Sequence, residues 1–427
     1  ISNMSGFFTP GFRPDNQRRK ASGPTPEPVP QDIFVAGSSY QGPPVHPVKK
    51  WLGKLYFRLF PPSVAQAGFL APAIHSIVVM EKNRVEVGPV DYVGGRNDRA
   101  RVVVIDSFSR DSDQKIHGDH VTGVLQRVGD LKPSEIQRID YGRADGVRAL
   151  LRPGPESAGE RLDAFIRMNG LLALEDKNKI LRELQKRENL DVVNMSLGIS
   201  TLGTAEGLFR EAMSRRDSTG GAERFFFDAV ELPCSWDPIN LARLRQALID
   251  RVHNLTSSDP EVLRSRREFQ RLSSELKQRG VSFVVAAGND GELASRLRAM
   301  RYRLPEGAAG SYFHNRDNIV VGAIDDKGTA DPYDDELAGF STPSPYVRYL
   351  ANGTNVPVDA FSGGNLMTGT SFAAPIVSGK IARLKEAVPA ASADDLGYLI
   401  ANHPGVKGSD LPVVDDLKVY TQFTSVR

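Results

Sequence analysis

The stretch Asn365–Ala382, NLMTGTSFAAPIVSGKIA, decides the fold of this chain. Small residues precede Ser371, and they allow the backbone to turn sharply and to approach another chain closely. An apolar run of good helix formers follows, so we predict that Ser371 lies in the first turn of a buried helix. A hydroxyl there lies beside unpaired backbone N–H groups and the positive end of the helix dipole, where a developing oxyanion is stabilised. Gly-Thr-Ser alone also fits an ordinary turn and helix cap.

Four β-branched runs lie upstream and alternate with helical segments. Each is short and continuous, as in strands that are buried on both faces of a parallel sheet. The runs are 101–106, 192–197, 281–286 and 319–323. The alternation predicts an α/β fold, a doubly wound, mostly parallel sheet with helices on both faces. A strand pair is also predicted at 74–79 and 85–93.

Residues that can carry chemistry fall where these runs end, and the carboxyl ends of such strands are where sites form. They are Asp106 after the first run, Ser196-Leu197-Gly198 after the second, Ala287-Gly288-Asn289 after the third, and His117 at the start of a predicted helix. Each motif alone has an ordinary explanation as a turn, a strand end or a helix cap. His117 and His120 can also be viewed as a pair of metal ligands, although no HExxH sequence is present.

Taken together, the motifs resemble those of the subtilisin-like serine proteases, the subtilases. Gly369-Thr-Ser-Phe-Ala-Ala-Pro375 resembles the nucleophile motif, and His117-Gly-Asp-His-Val-Thr-Gly123 resembles the histidine motif. Ala286-Ala-Gly-Asn289 resembles the oxyanion motif, and Phe340-Ser341-Thr342 resembles a Phe-Ser segment of the family. The order Asp, His, Ser along the chain is that of subtilisin.

The resemblance implies a serine endopeptidase that cleaves peptide bonds through an acyl-enzyme intermediate. It implies that Ser371 is the nucleophile, that His117 is the general base, and that Asp106 holds the imidazole tautomer. It also implies that Asn289 supplies the side chain of the oxyanion hole. An extended polypeptide substrate would add as a strand along the segments next to these residues. The implied substrate-binding residues are Ser196, Leu197, Gly198, Ala287 and Gly288.

Three features depart from the family pattern. Phe108 stands where a glycine is usual, and only ten residues separate Asp106 from His117. Asp119 replaces the usual threonine, and a carboxylate near His117 would favour the charged imidazole and impair a general base. These features leave open a catalytically inactive or autoinhibited subtilase fold that acts as a binding or regulatory module. Hydrolysis of an ester or another acyl group would use the same site.

Proline content suggests the domain organisation. Residues 1–70 are predicted to form a Pro-rich N-terminal arm with a short amphipathic helix at 50–60, and residues 71–427 to form the catalytic domain. The helix packs on the main domain or lies on a membrane surface, and a signal peptide fits this stretch poorly. The arm is also a candidate inhibitory segment. Deletion of residues 1–70 tests this, since unchanged activity and inhibitor binding would exclude it.

A helical insertion at about 200–265 interrupts the predicted catalytic domain. It consists of extra packed helices or forms a lid or an arm near the substrate cleft. A regulatory partner is considered at this insertion or at the N-terminal arm. The aromatic cluster Phe225–Phe227 and the single thiol of Cys234 are expected in the core.

Composition bounds the remaining choices. The chain has 427 residues and a formal net charge of +2, so no nucleic-acid partner is expected. The sequence contains no run of about 18 apolar residues, so no transmembrane helix is expected. Membrane contact is not expected either, and the compartment is left undetermined. No cofactor is expected. Calcium is left open and no metal site is assigned, because acidic runs are usually solvated loops. The acidic candidates are Asp111, Asp113, Asp331, Asp334, Asp335 and Glu336.

Overall fold

The computed structural model describes residues 87–109, 115–141, 151–218, 221–329, 333–358, 366–392, 395, 406–407 and 409–414. The predicted N-terminal arm, its helix at 50–60 and the strand at 74–79 lie outside these residues. So do three of the acidic candidates for calcium, Asp111, Asp113 and Asp331.

The regular elements of the described part are as follows. The strands are β1 (Asp91–Val93), β2 (Val102–Asp106), β3 (Ile136–Asp140), β4 (Val192–Met195), β5 (Ser282–Ala286), β6 (Ile319–Asp325), β7 (Glu336–Leu337), β8 (Val347–Asn352), β9 (Val356–Pro357) and β10 (Leu366–Met367). The helices are α1 (His117–Gly129), α2 (Ala158–Leu184), α3 (Thr201–Ser214), α4 (Phe225–Ala229), α5 (Pro238–Ser258), α6 (Pro260–Gln278), α7 (Gly291–Ala299) and α8 (Thr370–Ala387), with a 3-10 turn at Pro133–Glu135.

The main sheet has a parallel centre and antiparallel edges. Its order is β1-β3-β2-β4-β5-β6-β7, with β8 paired to β6. The pairs from β3 to β6 and the pair of β6 with β8 are parallel, whereas β1 and β7 are antiparallel to their neighbours. The chain leaves β2 for β3 on one side and then returns to β4 on the other side. This switch point lies between β2 and β4, and sheets of this kind bind ligands at the carboxyl ends of the strands there.

Alternate side chains of β2 pack into two separate cores. Val102 and Val104 face the core that α1 and α8 share with the sheet. Val103 and Ile105 face the opposite core, which contains residues of α2 and α6. Both faces are therefore covered, and this is why the run is continuously apolar instead of alternating. The predicted α/β sheet with helices on both faces is confirmed.

Some strand predictions were wrong. Residues 87–90 of the run predicted at 85–93 are not in a strand, since only Asp91–Val93 pairs, and its partner is β3. β3 itself was missed because its sequence IQRID mixes polar and apolar residues, as suits a strand near the edge of the sheet. β4 ends at Met195, so Ser196 and Leu197 have already left the sheet.

The region after β4 forms a helical layer. Helices α3, α4, α5 and α7 share one core with the first half of α2, and this core buries Phe225, Phe226 and Phe227 as predicted. Helices continue beyond the expected end of the insertion, to Gln278. The prediction that Cys234 is in the core was wrong, because it is exposed in the irregular segment that joins α4 to α5. Among the described residues, no helix is both long and apolar enough to span a bilayer.

Candidate active site

Asp106 at the end of β2 and His117 at the start of α1 are in direct contact. The Asp106 Oδ1 atom lies 2.7 Å from His117 Nδ1. Asp106 is fully buried, and the same oxygen accepts the backbone N–H of Ser107 at 2.7 Å. An ionised carboxylate can only accept, so Nδ1 carries the proton of the neutral ring. Nε2 on the other side of the ring is then the basic nitrogen.

Gly118 permits this contact over a short connection. A Cβ atom on Gly118 would lie 2.5 Å from the Ser107 carbonyl oxygen and 2.9 Å from Asp106 Cβ. The Gly118 N–H donates to that carbonyl at 2.9 Å. The start of α1 thus packs directly against the end of β2. The ten intervening residues are sufficient to join Asp106 to His117.

Phe108 does not need the conformation of the glycine that it replaces. It is buried, and it is not among the residues with positive φ. Its N–H donates to Asp140 Oδ1 at 3.1 Å, and the Arg138 guanidinium lies 5.7 Å from the centre of its ring. The side chain therefore fills space at the edge of the sheet without distorting the turn after Asp106.

Asp119 caps the first turn of α1. Its Oδ2 accepts the backbone N–H groups of Ser109 and Ile116 at 3.2 and 3.1 Å. Its Oδ1 pairs with Arg138 at 3.3 Å. Asp119 is thus engaged as the cap of α1 and as the partner of Arg138.

Ser371 lies in the first turn of α8, as predicted. It is 6% exposed, and its hydroxyl donates to the carbonyl oxygen of Ser196 at 3.1 Å. The ring of the next residue, Phe372, lies 5.6 Å from the His117 ring between centroids. The first turns of α1 and α8 are thus adjacent. Among the described residues, the partner of the Ser371 hydroxyl is the Ser196 carbonyl and not His117.

Two glycines set the distance between α1 and α8. A Cβ atom on Gly379 of α8 would lie 2.8 Å from the backbone nitrogen of Gly129 in α1. A Cβ atom on Gly129 would lie 3.2 Å from the Gly379 Cα atom. The two backbones touch here, a closeness that only glycine allows. His117 and Ser371 are carried on helices whose spacing is fixed at this contact.

A buried polar chain joins α8 to the end of β4. Ser378 Oγ donates to Asn194 Oδ1 at 2.8 Å, and Asn194 Nδ2 donates to Ser196 Oγ at 3.0 Å. Ser378 and Asn194 are fully buried and Ser196 nearly so. Buried hydrogen bonds of this kind are directional and costly to break. They hold Ser196 where its carbonyl meets the Ser371 hydroxyl.

Asn289 is held against the first residue of α8. Its Oδ1 accepts the backbone N–H of Thr370 at 2.9 Å and lies 3.1 Å from the Thr370 hydroxyl oxygen. A backbone N–H can only donate, so the amide oxygen of Asn289 is the atom facing Thr370. The Thr370 hydroxyl also accepts the N–H of Gly288 at 3.0 Å. Asn289 thus lies next to the helix turn that carries Ser371.

Three further hydrogen bonds anchor the residues around Asn289, and the sequence analysis predicted none of them. The Asp290 N–H donates to Thr342 Oγ1 at 2.9 Å, and the Thr342 N–H donates to the Gly288 carbonyl at 2.9 Å. The Ser200 hydroxyl donates to Asp290 Oδ2 at 2.6 Å, and burial raises the pKa of Asp290. The resemblance of Phe340-Ser341-Thr342 to a family segment included Thr342 but gave it no role.

The predicted substrate-binding residues follow two neighbouring strands. Met195 of β4 pairs with Val285 of β5, so Ser196–Gly198 and Ala287–Gly288 leave the sheet side by side. Ser196 and Ala287 are buried, Leu197 and Gly288 are half-buried, and Gly198 is exposed. Since the Ser200–Asp290 bond joins the segments that follow, the two strand ends form connected walls beside Ser371.

A buried histidine supports the β5 wall. His314 Nε2 lies 3.2 Å from the Ala286 carbonyl oxygen, and Nδ1 lies 3.2 Å from Ser344 Oγ. The carbonyl can only accept, so Nε2 carries the proton and Nδ1 accepts from the serine. Burial lowers the pKa of His314 to about 4, against the weaker opposing effect of its hydrogen bond to Ala286. The ring is therefore neutral at pH 7.

Acidic residues suggested for calcium make other contacts where they are described. Asp334 accepts the hydroxyl of Thr329 at 2.9 Å. Glu336 pairs with Lys407 at 2.9 Å and with Lys327 at 3.3 Å. In the described part of the chain, no three or more His, Cys, Asp or Glu side chains are grouped as metal ligands.

The fold is a doubly wound α/β sheet, and Asp106, His117 and Ser371 lie around its switch point, at the carboxyl ends of β2 and β4. The model of the Subtilase family, Peptidase_S8, matches residues 91–411, well over half of the chain. The chain therefore belongs to the subtilase family of serine proteases. No curated protein matches it in sequence.

Several solved protease structures are similar to the chain. A lanthipeptide protease has 13% identity and a TM-score of 0.39, covering 78% of this chain and 89% of that one. MycP1 from the ESX-1 type VII secretion system has 16% identity and a TM-score of 0.34, covering 76% and 80%. The S41 psychrophilic protease has 16% identity and a TM-score of 0.32, covering 70% and 82%. Similarity at this level does not bear on what this chain cleaves.

Proposed function

We propose that the protein is a serine endopeptidase in which Asp106, His117 and Ser371 form the catalytic triad. The observation that carries the proposal is the 2.7 Å contact between Asp106 and His117, on a helix packed against the one that carries Ser371. His117 Nε2 takes the Ser371 proton as the hydroxyl attacks the peptide carbonyl. The imidazolium, stabilised by buried Asp106, then returns the proton to the leaving amine.

The Ser371 hydroxyl has to leave the Ser196 carbonyl before it can meet His117. Rotation about χ1 moves it, and catalytic hydrogen bonds are commonly long or unformed before substrate binds. The oxyanion is stabilised by Asn289 Nδ2 and by the Ser371 N–H, which has no intrahelical acceptor in the first turn of α8. The Asn289 oxygen is occupied by Thr370, and this favours an orientation in which the amide nitrogen serves as the donor.

The substrate in this proposal is an extended polypeptide. It adds to the exposed edge at Ser196–Gly198 and is faced by Ala287 and Gly288, so that main-chain hydrogen bonds supply affinity. No step requires a cofactor, and calcium is left unassigned. The Asn289→Ala change should reduce kcat by ~10²–10³, the magnitude established for such a donor in subtilisin.

Covalent labelling by a fluorescent fluorophosphonate tests the triad. We expect labelling of the native chain, its loss in Ser371→Ala, and a large decrease in His117→Ala. Ser258→Ala is the matched control, because Ser258 is an exposed helix-end serine bonded to the Asn254 carbonyl. A folded native chain that stays unlabelled, or equal labelling of Ser371→Ala, would contradict the triad and favour the binding or regulatory module.

Peptide design separates endopeptidase activity from its alternatives. A quenched fluorescent peptide blocked at both ends has no free terminus, so only an endopeptidase cleaves it. The matching ester substrate measures acyl transfer without amide cleavage. Turnover of the ester with no turnover of the blocked peptide would overturn the endopeptidase assignment while retaining Ser371 as the nucleophile.

A further inference from the structure

Two neighbouring segments of the helical layer carry arginines and no acidic residue. Residues 238–249 at the start of α5 contain Arg243 and Arg245, and no Asp or Glu. Residues 293–305, which end α7 and continue past it, also lack Asp and Glu. This second segment contains Arg296, Arg298, Arg301 and Arg303.

The two segments adjoin on one surface. Gln246 of α5 hydrogen-bonds the main chain of Arg303 in both directions, at 3.0 and 2.9 Å. Arg243 lies three residues before Gln246 and Ile239 four residues before that, so the three share one face of α5. Ile239 is 69% exposed. This face therefore continues from Ile239 through Arg243 to the arginines that follow α7.

Most of these arginines have no carboxylate partner within the described residues. Arg245 pairs with Glu206 at 3.3 Å. The other members of the surface are exposed and make no ion pair in the part of the chain that the structure describes. They are Arg243, Arg296, Arg298, Arg301 and Arg303. Met300, which is 62% exposed, adds an apolar side chain to the same segment.

Arg301 has a conformation that favours glycine. Its φ is 66°, in the left-handed region, where it ends α7. Its N–H donates to the Arg298 carbonyl, and the Tyr302 N–H donates to the Leu297 carbonyl. Glycine is the common residue at such a helix end, and a long side chain there is strained. A strained residue at an exposed position suggests a use for its side chain.

The surface is connected rigidly to the site. α7 begins at Gly291, two residues after Asn289, and its first residue is packed against the Gly339 and Ser341 carbonyls. Arg298 lies roughly 10 Å further along the helix axis. An extended chain rises about 3.3 Å per residue, so a substrate in the cleft reaches this surface within a few residues.

We propose that Arg243, Arg296, Arg298, Arg301 and Arg303, with Ile239 and Met300, form a docking surface for an acidic segment of the polypeptide substrate. This rests on the proposed endopeptidase function. The arginines bind carboxylates, and the two apolar side chains contact hydrophobic residues among them. Positive charge at this distance from the cleft steers acidic substrates toward Ser371. Substrates without an acidic segment use the cleft alone.

Binding to the Ser371→Ala chain tests the surface without turnover. The probe is a fluorescein-labelled peptide with six glutamates after a neutral core, and its neutral match has six glutamines. We expect the glutamate peptide to bind more tightly, with an affinity that falls as salt rises. The triple change of Arg298, Arg301 and Arg303 to alanine should weaken its binding about tenfold, since each exposed charge pair contributes only weakly and is screened by salt.

The control is alanine at Arg99, Arg267 and Arg316. These three are also exposed and make no ion pair within the described residues, and they lie in other parts of the chain. We expect this variant to bind as the parent does. Equal weakening by both triple changes would overturn the proposal, because it would reflect net charge alone. Binding of a DNA oligonucleotide of the same charge, as tight and as dependent on the α7 arginines, would likewise overturn it.

The Arg301→Gly change distinguishes a role of Arg301 in peptide binding from a role in stability. Glycine relieves the left-handed strain, so the midpoint of urea unfolding should stay or rise while glutamate-peptide binding weakens. Lower stability with unchanged binding would assign Arg301 a structural role instead. Fluorophosphonate labelling of the Ser371-containing chain is the independent readout. If the chain is labelled but cleaves both peptides equally, only the docking surface is overturned. If the chain is not labelled, the proposed catalytic function on which the docking surface rests is overturned.

Discussion

The two sides of the molecule are built by different means. On the side of α1 and α8, backbones touch at Gly129 and Gly379, and buried hydrogen bonds through Asn194 fix the end of β4. In the layer of α3, α4, α5 and α7, large rings such as Phe226 and Phe227 fill the core. The first side fixes the spacing of two helices by direct contact between their backbones. The second supplies buried volume, which tolerates adjustment better than a glycine contact does.

The largest expected effect is on stability, in the helical layer. Phe227 is fully buried and packs edge-on against Trp236, with ring centres 5.2 Å apart. Phe227→Ala should lower the free energy of unfolding by roughly 3–5 kcal/mol, because it leaves a cavity. Urea unfolding measures this. The fluorophosphonate labelling rate of the folded variant should be unchanged. If the labelling rate fell together with stability, the two sides would not differ in the way proposed here.

His314, which supports the end of β5, should make stability depend on pH. Its pKa of about 4 in the folded chain is below the unfolded value of 6.5, so the unfolded state binds the proton more readily. The stabilisation is complete above pH 6.5 and is lost as pH falls through 4, by about 3 kcal/mol in total. Urea unfolding at pH 7.5 and 4.5 measures it. His314→Gln should remove this part of the dependence, and an unaltered pH profile would contradict the assignment.

Gly118→Ala should affect the site more than the fold. The new methyl would lie 2.5 Å from the Ser107 carbonyl oxygen, so α1 must shift and separate His117 from Asp106. We expect a decrease of about 10² in labelling rate, because a misplaced catalytic group is costly. Gly207→Ala is the matched control. Nothing lies within 4 Å of its Cβ position, so it should stabilise α3 by ~0.5–1 kcal/mol and leave labelling unchanged. Equal effects of the two changes would refute the argument.

Thr342→Val should give the smallest effect. It removes the hydroxyl that accepts the Asp290 N–H while keeping the shape of the side chain. We expect kcat to fall about tenfold as Asn289 loses its fixed position, with KM nearly unchanged. Thr342→Ser retains the hydroxyl and should restore kcat. If serine and valine behave alike, Thr342 contributes by packing and not by positioning Asn289.

Much of the fold could be predicted because its central strands are buried on both faces. The runs at β2, β5 and β6 are continuously apolar, and this pattern permits few other structures. β3 was missed because its sequence interrupts the apolar run with a buried Gln137, which bonds the main chain of Gly95, and a half-buried Arg138. Cys234 was misplaced because nothing in its neighbourhood distinguishes a buried thiol from one in an exposed connection.

The site was predictable where residue order alone is informative. Asp106, His117, Asn289 and Ser371 follow recognisable motifs, and the structure brings Asp106 to His117 and Asn289 to the helix of Ser371. Their assignment as catalytic residues stays a prediction. The supports at Thr342, Asp290 and Ser200 were not predictable, since they are paired across 52 and 90 residues of sequence by folding alone.

The hydrogen bond from Ser371 to the Ser196 carbonyl should lower the reactivity of the serine when no substrate is bound. That carbonyl belongs to the edge where we expect the substrate chain to bind, so an incoming N–H would compete for the same oxygen. A peptide bound along the edge would then free the Ser371 hydroxyl to hydrogen-bond His117. The serine would therefore be activated as a nucleophile only when a peptide is bound. A phosphonate with a peptide arm should accordingly react faster than a bare one of equal intrinsic reactivity. Equal rates would show that the reactivity of Ser371 does not depend on peptide binding, so that any electrophile nearby can react with it.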